Sequence, residues 1–172
     1  MSNLIGWLED LSSRDTKARA ILKRSLAFEP GAFPPAYAYV EPFVGTTASD
    51  WRRGTLYLVA GVWASHWREG RASSTMSLAR AAAKHQSDSG SSSTERRFMN
   101  LLEADDEQLP HCLRQMVSLL KDYPIDFEAL VSGLLHWNDD GKRTQIQWAR
   151  EFYQSAQRPM SDDPTSTKGV GL

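Results

Sequence analysis

The stretch Ser49–Trp67, "SDWRRGTLYLVAGVWASHW", decides the class of this fold. Asp50 is a candidate N-cap, since a short side-chain oxygen before an apolar segment can accept an orphan backbone N–H of the first turn. From Leu56 to Ala64 the run "LYLVAGVWA" is apolar on nearly every side of a helix. A helix without a polar face has to be covered all round, so this segment is predicted to be the central helix of the protein. The run is far shorter than the roughly 20 residues a membrane helix needs. Water exclusion must therefore come from other helices of the same chain.

Helical spacing continues on both sides of that segment. Leu4, Ile5, Leu8 and Leu11 mark a first amphipathic helix. The run "SSRDTKARAILKRSLAF" reads as a second, with Ala18, Ile21, Leu22, Ser25 and Leu26 as its apolar arc. "EPGAFPPAYAYVEPF" is a proline-punctuated link with a short helix near Ala36 to Val40. "SLARAAAKH" is a short Ala-rich helix, and residues 86–93, "QSDSGSSS", have the composition of a long loop or domain boundary. Further helices are predicted over Glu95–Ala104, Glu107–Asp122, Asp126–Asn138 and Lys142–Ala156. No segment shows the alternation of a strand. The reading is an all-α protein of two small helical bundles joined by a polar loop. Residues 1–88 form the first bundle and 94–157 the second, with a disordered tail over 158–172.

In "SSSTERRF", Ser92 and Glu95 have the spacing of a capping box. Arg96 and Arg97 follow at the positive end of the helix macrodipole, where cations are disfavoured. They point about 100° apart, so both are not expected to meet one phosphate.

The chain has 20 Lys+Arg, 21 Asp+Glu and one cysteine among 172 residues. Its overall charge does not announce a nucleic-acid partner. The distribution is uneven: the net charge is +4 through Asn100 and −5 from Leu101 onward, which allows one basic face. With Cys112 alone, no intramolecular disulfide and no cysteine-rich metal site can form, and a reducing cytoplasm is expected. The start "MSNLIGWLED" lacks the pattern of a signal peptide. No membrane association, metal or cofactor is predicted.

His66, His85, His111 and His136 form no HExxH pattern, and no P-loop, dinucleotide fingerprint or nucleophile elbow is present. His111 and Cys112 are neighbours in sequence, a spacing that does not pair a base with a nucleophile on a helix. The acidic run around Asp105 and Asp106 reads as a solvated turn leading into the next helix. A small helical enzyme built on His111, Cys112 or this cluster is the least supported of three readings.

The cations are better organised. Arg14 to Arg24 carries a net +4. Within it Lys17 and Arg24 lie seven apart, and Arg19 and Lys23 four apart, outside the apolar arc. Arg114 and Lys121 are again seven apart, as are Arg143 and Arg150, with Lys142 adjacent. Two turns span roughly 11 Å, a reach suited to phosphates along one strand. A solvated helix face produces the same pattern, so spacing alone leaves both readings open.

The segments "RAILKRSLAF", "PPAYAYVEPFV", "LYLVAGVWA", "SLARAAAK", "SSSTERRFMNLLEAD", "QLPHCLRQMVSLLK", "IDFEALVSGLLHWN" and "RTQIQWAREFY" occur in this order. Together they resemble the small subunit of the type I-E CRISPR Cascade complex, the CasB family, over roughly Leu4 to Tyr153. The resemblance implies a non-enzymatic, all-α subunit, present in two copies and touching the backbone subunits and the large subunit. It implies stabilisation of the guide RNA–target DNA region and retention of the displaced strand in a basic groove. It places the basic positions at Arg24, Arg97, Arg114, Lys142 and Arg143, with Arg53 a weaker match. Lys17 and Lys23 join these as candidates from helix spacing. Where relatives can show a second basic residue, this chain has Gln115. The competing reading is a protein–protein assembly adaptor whose charged stripes meet acidic protein surfaces and touch no strand.

Overall fold

The computed structural model describes residues 3–70 and 74–156. Among these residues the fold is nine α-helices and one 3₁₀ turn, Pro34–Ala36. The helices are α1 Leu4–Ser12, α2 Thr16–Ser25, α3 Tyr37–Val44, α4 Asp50–His66 and α5 Leu78–Ser89. They continue with α6 Ser93–Glu103, α7 Leu109–Leu119, α8 Phe127–Leu135 and α9 Arg143–Ala156. An isolated bridge joins Met76 to Ile125 and ties the approach to α5 to the approach to α8. The all-α reading holds; the expected tail from Arg158 onward lies outside the described residues. No described helix is long and apolar enough to cross a membrane.

Helix α4 is the hub. Every residue from Thr55 to Ala64 is buried, together with His66. Helices α1, α2, α3, α7 and α8 all pack on it, as the apolar run requires. Its start is capped one residue earlier than the sequence reading placed it. Ser49 accepts the Arg52 N–H at 3.1 Å, and Asp50 becomes the first helical residue. The two indoles at its ends stay satisfied. Trp63 Nε1 donates to Glu9 at 2.8 Å, and Trp51 Nε1 donates to the Leu134 carbonyl at 2.9 Å.

Gly61 sets how closely α2 can lie on α4. A Cβ there would stand 2.6 Å from Leu26 Cδ2 and 3.3 Å from the Leu22 carbonyl oxygen. Away from the hub, α5 packs against α9 and α6, and α6 against α7. Phe98 of α6 and Phe152 of α9 stack at 4.9 Å between them. One continuous cluster of buried side chains runs from Leu4 to Phe152.

The long loop expected over residues 86–93 is shorter than its composition implies. Helix α5 continues to Ser89, and Gly90 ends it in the left-handed conformation that glycine adopts without strain. Two side chains give these polar residues helical employment. Gln86 reaches the start of α6, and Asp88 accepts a hydrogen bond from Tyr123 at 2.7 Å.

His66 is buried where α4 meets the end of α7. Its Nε2 lies 3.1 Å from the Leu120 carbonyl, so the proton sits on Nε2, and Nδ1 is buried without a hydrogen-bond partner. Desolvation lowers its pKa, with nearby Arg68 acting the same way; the Leu120 and Tyr123 backbone and Asp122 oppose it.

Two outcomes follow from this packing. Gly61→Val should lower the unfolding free energy by about 1–3 kcal/mol through overpacking against Leu22 and Leu26, read by denaturant melts. A histidine with a lowered folded pKa leaves the unfolded chain to take up the proton first, near about 6.5. The protein should therefore lose stability as pH falls from 7 toward 5, and His66→Asn should show a shallower decline over that window.

Candidate nucleic-acid interface

The start of α6 is built differently from a capping box. Ser92 has helical backbone angles and makes no side-chain cap. The Glu95 N–H instead donates to Gln86 Oε1 at 2.8 Å, and the Ser93 N–H donates to Ser91 Oγ at 3.2 Å. Glu95 turns its carboxylate to α9, where it accepts the Tyr153 hydroxyl at 2.7 Å and raises that phenol's pKa. The helix is thus begun by a side chain from α5. Its first turn leaves Arg96 and Arg97 exposed beside buried Phe98.

Arg97 lines an open groove of about 1000 Å³ between α5, α6 and α7. The same groove is lined by Arg114, Lys121, His85 and His111, with Asp88, Asp122 and Tyr123 among its acidic and polar groups. Three permanent cations face two carboxylates, and one of these is already engaged. Asp88 accepts from Tyr123 and lies 3.7 Å from Lys84 Nζ. Burial and that carboxylate push the Tyr123 phenol up to about 12, so it remains a protonated donor. Arg96 is not among the lining residues.

Arg114 also has a structural contact. Its Nη1 donates to the carbonyl of Leu26, the residue that caps the end of α2. A cation is favoured at that negative helix end. A guanidinium carries five N–H donors, so one such bond leaves others for an anion. Through this bond the end of α2 is held against α7. Arg24, two residues earlier, places its guanidinium carbon 5.9 Å from the centre of the Phe33 ring. Phe33, Arg114 and His111 together line a second, smaller cavity that shares its wall with the groove.

The other expected cations are placed elsewhere. Lys17 and Lys23 are exposed on α2, outside the groove lining. Arg53 is paired with Glu41, whose pKa is held low by the Tyr57 hydroxyl at 2.5 Å and by Arg53 itself. Its neighbour Arg52 is a helix cap, donating to the carbonyls of Val44 and Phe43 at 3.1 and 3.2 Å. Lys142 precedes α9 with φ 51, and Arg143 lies 3.2 Å from Asp139. Arg143 lines a separate cavity with His136 and Glu151. The structure therefore joins Arg97 to Arg114, sets Arg24 beside Phe33 and outside the lining of that groove, and does not bring Lys142 or Arg143 into it. Lys121 and His85 were not among the expected site residues. The seven-residue spacing from Arg114 marked Lys121, whereas nothing local marked His85.

The chemistry of an enzyme gains little from this geometry. Burial raises the Cys112 thiol, with Asp105 adding to the shift, which is opposite to what a thiolate nucleophile needs. Asp105 instead accepts the N–H groups of Glu107 and Gln108 at 3.0 and 2.9 Å, closing the turn before α7. Among the described residues no cluster of three or more His, Cys, Asp or Glu is arranged to hold a metal.

Residues 18–153 match the model of the family described as CRISPR-associated protein Cse2. The chain belongs to the Cse2 family. A CRISPR-associated protein Cse2 of Thermus thermophilus is 43% identical over 154 residues, covering 87% of each chain. The crystal structure of a Cse2-family protein from Thermus thermophilus superposes with a TM-score of 0.75 at 41% identity, over 90% of this chain and 99% of that one. The CasB protein of M. ruber gives 0.71 at 33% identity, over 90% and 94%. A chain from a structure described as "CRISPR RNA-guided surveillance complex" shares the fold, with a TM-score of 0.77 at 21% identity over 89% and 91%.

The Arg114 bond to α2 gives this Cse2-family groove a testable asymmetry. Arg114→Ala should lower stability by about 1–2 kcal/mol, because a half-buried carbonyl loses a charged donor. Arg97→Ala, on an exposed first turn, should change it by less than about 0.5 kcal/mol. Thermal melts of the two variants beside the parent measure the difference.

Proposed function

We propose that this chain is a non-enzymatic subunit of a CRISPR RNA-guided surveillance complex, in which it holds nucleic-acid backbone without reading sequence. Membership of the Cse2 family supports the setting. The observation that carries the binding role is the meeting of Arg97 and Lys121 with Arg114 on one open groove. Arginine suits phosphate because its planar fork presents paired donors. In such a complex, base pairing reads the target while protein holds backbone and loose strand. The ligand is the displaced strand beside the guide RNA–target DNA duplex. Retaining that strand favours the open state of an exchange that is otherwise nearly balanced. Two copies, set among the backbone and large subunits, would lengthen the track and raise its effective concentration. The setting is the reducing cytoplasm.

Lys17, Lys23 and Arg24 extend the track along α2. Lys142 and Arg143 serve a different contact, since Arg143 opens onto another cavity. Arg53 is the weakest member of the set because Glu41 already offsets its charge. An adaptor role is supported by a different surface. Trp7 is 38% exposed and packs beside Tyr39 and Phe43, giving an aromatic patch suited to a protein neighbour. The two roles occupy different surfaces and are compatible.

Phosphate contacts release counterions, so each one steepens the salt dependence of binding by about 0.7 for a single strand. In the assembled complex, Arg97→Ala with Lys121→Ala should shorten the lifetime of the open target loop. It should also reduce the logarithmic salt slope by about 1.4. Unchanged lifetime and slope with intact assembly would refute the backbone role.

A further inference from the structure

Phe28 stands out among the side chains that the core does not use. It is 51% exposed, more than Trp7, Tyr37 or Ile146, the other exposed large apolar side chains among the described residues. It does not dangle. The Phe28 N–H donates to the Ser25 carbonyl at 3.1 Å, and the preceding Ala27 N–H donates to the Arg24 carbonyl at 3.1 Å. The turn is closed by Gly31 at φ +86, where a side chain would be strained, and the Tyr37 hydroxyl donates to the Gly31 carbonyl at 2.6 Å. The start of this turn is held by the Arg114 bond to Leu26. An aromatic ring is thus presented to solvent on a hydrogen-bonded support.

The ring is also backed. Phe33 stacks on it at a centroid distance of 4.8 Å and an interplanar angle of 10°, which fixes its plane and covers one face. Two cations flank the pair: Arg24, 5.9 Å from the Phe33 ring, and Arg114, which lines the same cavity as both phenylalanines. Arg114 and His111 belong equally to the groove that contains Arg97. Glu29 and Glu107 line the cavity of the two phenylalanines as well. The cations an anionic backbone would follow are therefore Arg24 and Arg114 beside the rings and Arg97 and Lys121 in the adjoining groove. A ring set beside them fits a ligand with flat apolar faces on an anionic backbone. A single-stranded nucleic acid has that chemistry, and its bases stack on aromatic side chains whatever their sequence.

We infer that Phe28, backed by Phe33, is a stacking platform for an unpaired nucleobase of the strand whose phosphates follow Arg97 and Arg114. This rests on the proposed backbone-holding role and adds a contact to it. Phosphate contacts alone leave a strand free to slide. A stacked base gives it a fixed point at the end of the groove, without imposing a sequence. The α2–α3 turn is then part of the binding surface, and Arg24 and Arg114 serve the backbone on either side of the base.

The test uses the assembled complex on target DNA whose displaced strand carries 5-iodouracil at successive positions, with Phe28→Ala, Phe28→Leu and Phe28→Trp. Irradiation should place an adduct on Phe28 in the parent. Loop lifetime should fall roughly fivefold or more in both the Ala and Leu variants and be kept by Trp, since stacking needs an aromatic ring. The salt slope should be the same in all three, because no phosphate contact is removed. If Leu behaves as the parent while Ala fails, or if either variant blocks assembly, Phe28 docks a protein and the platform is wrong. Equal lifetimes in every variant would also overturn it. If the Arg97 and Lys121 substitutions still lower the salt slope, only the platform falls. If they do not, the backbone role falls with it.

Discussion

Helix α4 has no face for water between Thr55 and Ala64, and the rest of the molecule is arranged to meet that demand. Burying ten consecutive helical residues requires neighbours on all sides, and α1, α2, α3, α7 and α8 supply them. Gly61 makes the approach of α2 possible by leaving room for Leu26 and the Leu22 carbonyl. Leu26 is then both a packing residue and the point at which Arg114 grips α2. A single missing Cβ on the hub thus helps fix where the end of α2, and with it Arg24 and Phe28, stands relative to α7.

The groove inherits its shape from contacts between elements rather than from any one helix. Gln86 of α5 starts α6, Asp88 of α5 receives Tyr123, and Tyr153 of α9 draws Glu95 away from the helix start. With Glu95 turned aside, the first turn of α6 presents Arg97 against the macrodipole. A neighbouring anion would relieve that repulsion. Cations at this helix end are at odds with the helix alone, and a phosphate beside Arg97, as proposed, would offset that cost.

The class of the fold was legible because it depends on one-dimensional signals: the apolar run of α4 and the 3.6-residue stripes of its neighbours. Asp126 was legible as the start of a predicted helix, and it caps α8 by accepting the Ala129 N–H at 3.0 Å. Residues whose partners are remote in sequence were not. Ser92 and Glu95 satisfy the spacing of a capping box, yet Gln86 and Tyr153 take the groups that the box would use. Arg53 is a candidate cation from the sequence, yet it meets Glu41, and its neighbour Arg52 caps α3, because α3 ends beside the start of α4. Arg143 has the spacing of a strand contact, and Asp139 stands one turn before it. Charge spacing names surface cations; only the packing of α5, α6 and α7 selects those that share a groove.

The central claim is that the α5–α6–α7 groove of this Cse2-family chain holds a nucleic-acid backbone. Zero-length crosslinking of the displaced strand to the assembled complex, mapped by peptide mass, tests it most directly. The account predicts adducts concentrated on peptides containing Arg97, Arg114 and Lys121. Adducts absent from this chain, or confined to the start of α9 around Lys142 and Arg143, would contradict it.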